Sequence, residues 1–369
     1  MKKQSSRKNS TPEKMFFRAF LTLVLVLTLI ATAGVCVYMI WEDAPEINVQ
    51  APTQIVAVPQ EVVQTSGTVP TASEPEYTGE APSTQRRDGV YTILLVGNDN
   101  GFGNTDTIIV CRFDTENHTV DCVSIPRDTY VNVNWNIRKI NAIYAGTVNS
   151  GGVGIDGLRQ QIKNLIGFDV DCYAIVDLNV FVEAIDLLGG VYFDVPCDMN
   201  YEDPKQDLTI HINKGYQLLD GYQAMGVCRF RSGYPSGDLG RIETQHLFLK
   251  ACAEQFISLG NIPNASKLIS LLSDNIETNL SSANIAFFIR QGLKCSADSI
   301  NFYTMPNTPQ SVQNVSYTFI KLNEWLDMIN YALNPFSTPI SESNLDIVYM
   351  ENWAFKSTAP IRDGAYLCG

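Results

Sequence analysis

Three arginines, Arg229, Arg231 and Arg241, lie close together in a chain whose formal net charge is −13. A guanidinium is planar, permanently charged and forked, the geometry that suits phosphate oxygens. If residues 228–231 are extended, Arg229 and Arg231 fall on one side and Phe230 on the other. Asp238 has the chemistry of a helix N-cap, and Arg241 and Gln245 then share a face at i, i+4. Three guanidiniums and an amide can therefore converge on one anion; the plain alternative is a salt-bridge network. A fourth arginine, Arg127, stands in Ser124-Ile125-Pro126-Arg127-Asp128-Thr129 at the end of an apolar strand. Ligands of open α/β sheets bind beyond such strand ends. Its plain alternative is a surface pair with Asp128, worth little.

Two carboxylates form a second candidate. Asp99 leaves one expected strand and Asp106 enters the next, so a strand-loop-strand path brings both to the same end of a sheet. Mg²⁺ takes one or two carboxylates together with water and phosphate oxygens, which makes this pair a possible Mg²⁺ seat. Loop aspartates also form Asx turns, and that reading stays open.

Other chemistries lack support. The nine cysteines include no C-x-x-C pair and no Cys/His group at zinc spacing, and most read as small buried residues of strands and helices. His118, His211 and His246 are scattered, His246 reading as a surface or core residue, and no G-x-S-x-G or Ser-x-x-Lys element is present. Gly152, Gly154 and Gly157 match G-x-G-x-x-G, with Asp177 downstream, but no clean apolar strand precedes them. They read as a turn opening a helix at Ile155.

The elements that must position these residues begin at Tyr91. YTILLVG, DTIIVCRF and TVDCVSI are rich in β-branched residues and read as three strands. A helix over Ile155–Ile166, a strand from Asp171, a helix over Asn179–Leu188 ended by Gly189-Gly190, and the strand VYFDV follow. Residues 240–294 have helical periodicity, and a last helix is expected over Phe319–Leu333. Such an order implies a mixed sheet between helix layers.

Upstream, Ala19–Ile40 is an apolar run long enough to span a bilayer, with Trp41 at its edge. Lys2, Lys3, Arg7, Lys8, Lys14 and Arg18 against Glu13 give the first 18 residues +5, so the rest carries −18. The positive-inside rule keeps that tail in the cytoplasm and exports the body; a cleaved signal peptide after Ala31-Thr32-Ala33 also exports it. Residues 42–88, rich in Pro, Thr, Gln, Glu and Ser, read as a disordered spacer. A body this acidic is a poor partner for nucleic acid.

Taken together, LLVGNDN, TDTIIV, SIPRDTYV, KINAIYA with a following Gly-Gly, LLGGVYFDVP, GYQLLDGYQAMGVCRFR and the D-x-x-R-x-x-x-Q of Asp238, Arg241 and Gln245 resemble the LytR-CpsA-Psr family in order and spacing from about Tyr91 to Ile257. The resemblance implies an α-β-α sandwich with a mixed central sheet and one N-terminal transmembrane helix. The expected parts are a basic cytoplasmic tail (1–18), a membrane anchor (19–41), an extracytoplasmic linker (42–88), a catalytic domain (89–260) and a helical C-terminal part packed on it (261–369). The implied activity is a phosphotransferase in the bacterial envelope. It moves an anionic glycopolymer such as teichoic acid or capsule from a polyprenyl-pyrophosphate carrier to a peptidoglycan sugar hydroxyl. Carried over, Asp99 and Asp106 would hold Mg²⁺ (or Mn²⁺), and Arg127, Arg229, Arg231 and Arg241 would grip the pyrophosphate, supported by Lys139, Asp238 and Gln245. Asp106 is also a candidate to accept the hydroxyl proton. Many members carry Arg-Ser-Asp-Thr where this chain has Asn104-Thr105-Asp106-Thr107, so one phosphate contact is absent here. Rival readings are a pyrophosphatase or phosphatase using the same arginines, and a non-catalytic wall-binding regulatory protein.

Overall fold

The computed structural model describes residues 43–47, 85–98, 105–203, 208–234, 238–258, 262–352 and 354–362. The chain divides into residues 1–44 and 45–369, and all that follows concerns the second unit. The expected tail (1–18) and anchor (19–41) lie outside the described residues, among which no helix is long and apolar enough to cross a membrane.

The fold is mixed α/β around a central mixed sheet. Strands β1 (Val90–Asn98), β2 (Thr105–Asp114) and β3 (Thr119–Ser124) form an antiparallel meander, as their β-branched runs predict. Helices α1 (Ile143–Asn149) and α2 (Gly154–Ile166) follow, then β4 (Cys172–Asp177), parallel to β1, and α3 (Leu178–Leu187). Asp177 caps α3 by accepting from Val180 N at 2.8 Å, and so has no role beside the glycines. Those glycines serve packing: a Cβ at Gly157 would fall 2.0 Å from Thr147 Oγ1 of α1. Two ribbons come next, β5 (Val191–Val195) with β8 (Gly215–Leu219) and β6 (Met199–Asp203) with β7 (Leu208–Ile212). Helices α4 (Gly221–Arg229), α5 (Asp238–Ser258) and α6 (Ile262–Asn275) lead to the short β9 (Glu277–Thr278), α7 (Ser282–Gly292) and β10 (Ile300–Thr304).

The six-stranded sheet has the order β10-β3-β2-β1-β4-β9. Residues beyond 260 therefore supply both of its edges. The chain ends in a second, four-stranded sheet of β11 (Asn307–Val312), β12 (Val315–Ile320), β13 (Val348–Glu351) and β14 (Ala354–Ser357), with α8 (Leu322–Met328) between β12 and β13. Residues 261–369, expected to be helical, thus mix helix and strand. The helix expected over Phe319–Leu333 begins only at Leu322, because Phe319 and Ile320 complete β12.

The two faces of the central sheet are covered differently. Leu94, Val96, Ile108, Val110 and Val123 pack in one large core with Leu158 and Ile162 of α2 and with Trp325 of α8. The opposite face meets α5 and α7. Tyr91 and Phe113 lie against Phe288, and Ile109, Cys111 and Cys122 against Leu249. Here cover is loose: Leu95, on a strand with neighbours on both sides, is 36% exposed. Phe256, Ile257, Leu268, Leu271, Leu272, Phe287 and Phe288 are only half-buried. This side of the sheet thus carries apolar side chains that are only partly covered.

Two expectations need correction. Cys111 and Cys122, read as lone core cysteines, stand directly opposite in the β2–β3 ladder and form a disulfide. Most of the 42–88 spacer lies outside the described residues, but its last residues belong to the fold. Arg86 is 8% exposed and forms a buried ion pair with Asp171, which also accepts from Thr92 N at 2.7 Å.

Candidate functional site

At one end of the central sheet β1 and β4 finish, β2 begins and β3 and β10 finish. Asn98 pairs with Thr105 across an irregularity after Gly97, which places Asp106 at this edge. Asp99, Asn104 and the rest of the connecting loop lie outside the described residues.

Asp106 is the hub. Its Oδ1 accepts from Arg127 Nη1 at 3.1 Å and its Oδ2 from Arg231 Nη2 at 2.7 Å. Burial by itself raises the carboxyl pKa, but the guanidiniums of Arg127, Arg231 and Arg241 outweigh it and hold the group below the ordinary carboxylate range. The site is therefore a carboxylate enclosed by three arginines from three elements. Arg127 comes from the loop after β3, Arg231 from the chain leaving α4, and Arg241 from the first turns of α5.

The local reasons are legible. Pro126 carries the carbonyl that accepts from Thr129 N at 2.9 Å, forming the tight turn that swings Arg127 out of the strand direction. The KIN segment then folds back: Ile140 N donates to Thr129 O at 2.9 Å and Asn141 N to Arg127 O at 3.2 Å. Lys139 is thereby placed beside the turn, where its Nζ lies 2.9 Å from Asp128 Oδ1. In place of the Arg127–Asp128 surface pair that was the plain alternative stand Arg127–Asp106 and Lys139–Asp128.

Residues 228–231 are not an extended strand. Asp220 and Gln223 form a capping box that starts α4, and the helix runs to Arg229, with extended backbone at Phe230. Propensity explains the difference, since Ala224 and Met225 are good helix formers behind a strong cap. Arg229 therefore closes a helix, where positive charge suits the C-terminal dipole. Phe230 is 2% exposed and anchors the turn, which leaves Arg231 pointing outward to Asp106. Helix α5 begins at Asp238, whose side chain lies outside the described residues, and Arg241 is 3% exposed. Gln245 Nε2 donates to Cys228 O at 2.8 Å, tying α5 to the end of α4.

One contact was missed by sequence reasoning. His246 Nε2 and Ser124 Oγ are hydrogen-bonded at 2.7 Å, the His246 ring stacks on Phe302, and burial lowers the imidazole pKa to about 4. No sequence spacing signals a pair so far apart in the chain. Among the described residues, no group of three or more His, Cys, Asp or Glu side chains could hold a metal ion. Asp106 offers one ionised carboxylate whose oxygens keep further lone pairs beyond the guanidinium bonds.

The chain as a whole resembles known proteins. A Bacillus subtilis (strain 168) protein, polyisoprenyl-teichoic acid–peptidoglycan teichoic acid transferase TagV, is 33% identical over 48% of this chain and 45% of its own length. The polyisoprenyl-teichoic acid–peptidoglycan teichoic acid transferase TagU of Oceanobacillus iheyensis is 28% identical over 56% of this chain and 64% of its own length. The matches thus cover less than two thirds of either relative. The crystal structure of B. subtilis TagV superposes with a TM-score of 0.56 at 25% identity, covering 66% of this chain and 96% of that one. The profile of the LytR_cpsA_psr family matches residues 58–334, a span that holds the central sheet, the Asp106 hub and its three arginines, and the chain belongs to that family.

Proposed function

We propose that this protein is an envelope phosphotransferase that moves an anionic glycopolymer from a polyprenyl-pyrophosphate carrier to a sugar hydroxyl of peptidoglycan. The observation that carries the reading is the Asp106 carboxylate held by Arg127 and Arg231 at the sheet edge, with Arg241 close enough to depress its pKa. Such a cluster in an acidic body is built for a dense anion. The partly exposed apolar side chains around Leu95, on the strand that ends beside Asp106, support a carrier lipid lying next to that anion site. The teichoic acid transfer to peptidoglycan for which TagV and TagU are named supports the same substrates.

In this mechanism Arg127, Arg229, Arg231 and Arg241 bind the pyrophosphate and neutralise charge that develops on its oxygens. The wall-sugar hydroxyl attacks the sugar-linked phosphorus, the bond from that phosphorus to the bridging oxygen breaks, and polyprenyl phosphate leaves, its departing oxygen taking up the proton that the hydroxyl releases. Asp99 and Asp106 would hold Mg²⁺ or Mn²⁺, which supplies further charge neutralisation when bound. A carboxyl held below its ordinary range accepts protons poorly, so we assign Asp106 to orienting the arginines and the ion ahead of general-base work. Lys139, Asp238 and Gln245 would support these arginines. The apolar run 19–41 would anchor the protein with its catalytic part outside the membrane.

The test uses full-length protein in detergent, a polyprenyl-pyrophosphate disaccharide and purified peptidoglycan. Release of polyprenyl phosphate with sugar-phosphate joined to the wall is expected, falling at least ~100-fold in Arg127→Ala and Arg229→Ala. Release without attachment assigns hydrolysis instead; no consumption of the donor by the wild type sinks both enzymatic readings.

A further inference from the structure

Helix α5 carries Arg241 and, one turn later, two consecutive residues that reach different neighbours. Gln245 bonds Cys228 O at the end of α4, just ahead of Arg229 and Arg231. His246 bonds Ser124, the last residue of β3, three positions ahead of Arg127. Adjacent helical residues point about 100° apart, so one helix can hold both elements at once. Residues 245 and 246 thus form a two-sided clamp between the helix that bears Arg241 and the two segments that bear the other arginines.

The His246 side of the clamp is firmly seated. Its ring stacks on Phe302 with centroids 5.6 Å apart, and Phe302 lies opposite Cys122 in the β10–β3 ladder. Ser124 is 7% exposed and sits in register with Thr304 and Ile109 of the flanking strands, which fix its position. Burial keeps the imidazole neutral at ordinary pH, which leaves a neutral hydrogen bond that needs no counter-ion. Neither side chain takes part in the proposed chemistry.

We propose that His246, acting through Ser124, is a positioning residue that sets the separation between Arg127 and Arg241, so that both face one anion. The identity of that anion rests on the transferase reading; the positioning does not. Losing the bond leaves a buried hydroxyl and a ring nitrogen unpaired and lets α5 slide against the sheet edge. Misplacing charge donors by even about 1 Å is costly to phosphoryl transfer.

The test compares full-length wild type with Ser124→Ala, His246→Ala, His246→Gln and the Ser124→Ala/His246→Ala double variant. Two quantities are read: amide hydrogen exchange over residues 124–130 and 240–249, and affinity for inorganic pyrophosphate. Each alanine variant should speed exchange in both segments and weaken pyrophosphate binding by about fivefold, the effect of one hydrogen bond. The double variant should be no worse than the singles, because both remove the same contact. Glutamine, whose amide can stand where Nε2 stands, should restore both quantities to within about twofold of wild type. Unchanged exchange in the alanine variants, additive losses, or a glutamine variant as poor as alanine overturns the proposal. A wild type that binds no pyrophosphate removes the transferase reading, and exchange with glutamine rescue then decides the positioning role alone.

Discussion

Asp106→Asn keeps the shape of the hub and removes its charge. The side chains involved are 31% exposed for Asp106, 24% for Arg127 and 46% for Arg231, so solvent screens them and each pair is worth about 0.2–1 kcal/mol. An incoming pyrophosphate must displace these contacts or share the guanidiniums with a like charge. Without divalent ions, removing the carboxylate lowers that cost by roughly 0.5–2 kcal/mol, and inorganic pyrophosphate should bind about 2- to 30-fold more tightly. With Mg²⁺ the sign reverses: the wild type should gain affinity from the ion and the variant should not, because half of the proposed carboxylate seat is gone. Calorimetric titration at low ionic strength, where screening is least, measures both arms. Weaker binding by the variant in metal-free buffer would refute the reasoning, since Asp106 would then not be competing with the anion for the arginines. An Mg²⁺ response identical in both proteins would remove Asp106 from the metal site.

Three further outcomes are expected. Arg86→Met strands the carboxylate of Asp171, whose pair is 4% and 0% exposed, and should cost about 3–5 kcal/mol in urea unfolding; a loss below about 1 kcal/mol contradicts a buried pair. A fragment starting at Arg87 should share that deficit. His246 has a folded pKa of about 4 against about 6.5 unfolded, so the unfolded chain takes up the proton first and stability falls as pH drops from about 6.5 to 4. His246→Gln should flatten that slope in unfolding measured across the same range, and an unchanged slope would move the titration elsewhere. Reducing Cys111–Cys122, which are separated by 11 residues, should lower stability by about 2–3 kcal/mol. Thermal unfolding with and without reductant checks it, with Cys111→Ser/Cys122→Ser as the control that should not respond.

The sequence by itself determined the local parts of this protein. β1, β2 and β3, the helix near Ile155 and the order of the motifs are visible because β-branched runs, caps and glycine stops act over a few residues. Where local signals competed, the reading failed. The stretch to Arg229 looks extended until the capping box at Asp220 is weighed, and Phe319-Ile320 look helical until β11 is there to pair with them. The arginines were legible as a cluster because Arg229, Arg231 and Arg241 are near in sequence, and Arg127 only as a residue at a strand end. Tertiary structure alone decided that Asp106 is the point where Arg127, Arg231 and Arg241 converge, since the Arg231 contact joins residues more than a hundred positions apart in the chain. It also decided that β9 and β10 complete the sheet, that Arg86 is a buried anchor, and that His246 bonds Ser124. The partial exposure of Leu95 is the plainest case: it and its half-buried apolar neighbours have the composition of any core. Only the packing of α5 and α7 leaves them partly uncovered, because side-chain chemistry specifies what prefers burial but not how closely two layers approach.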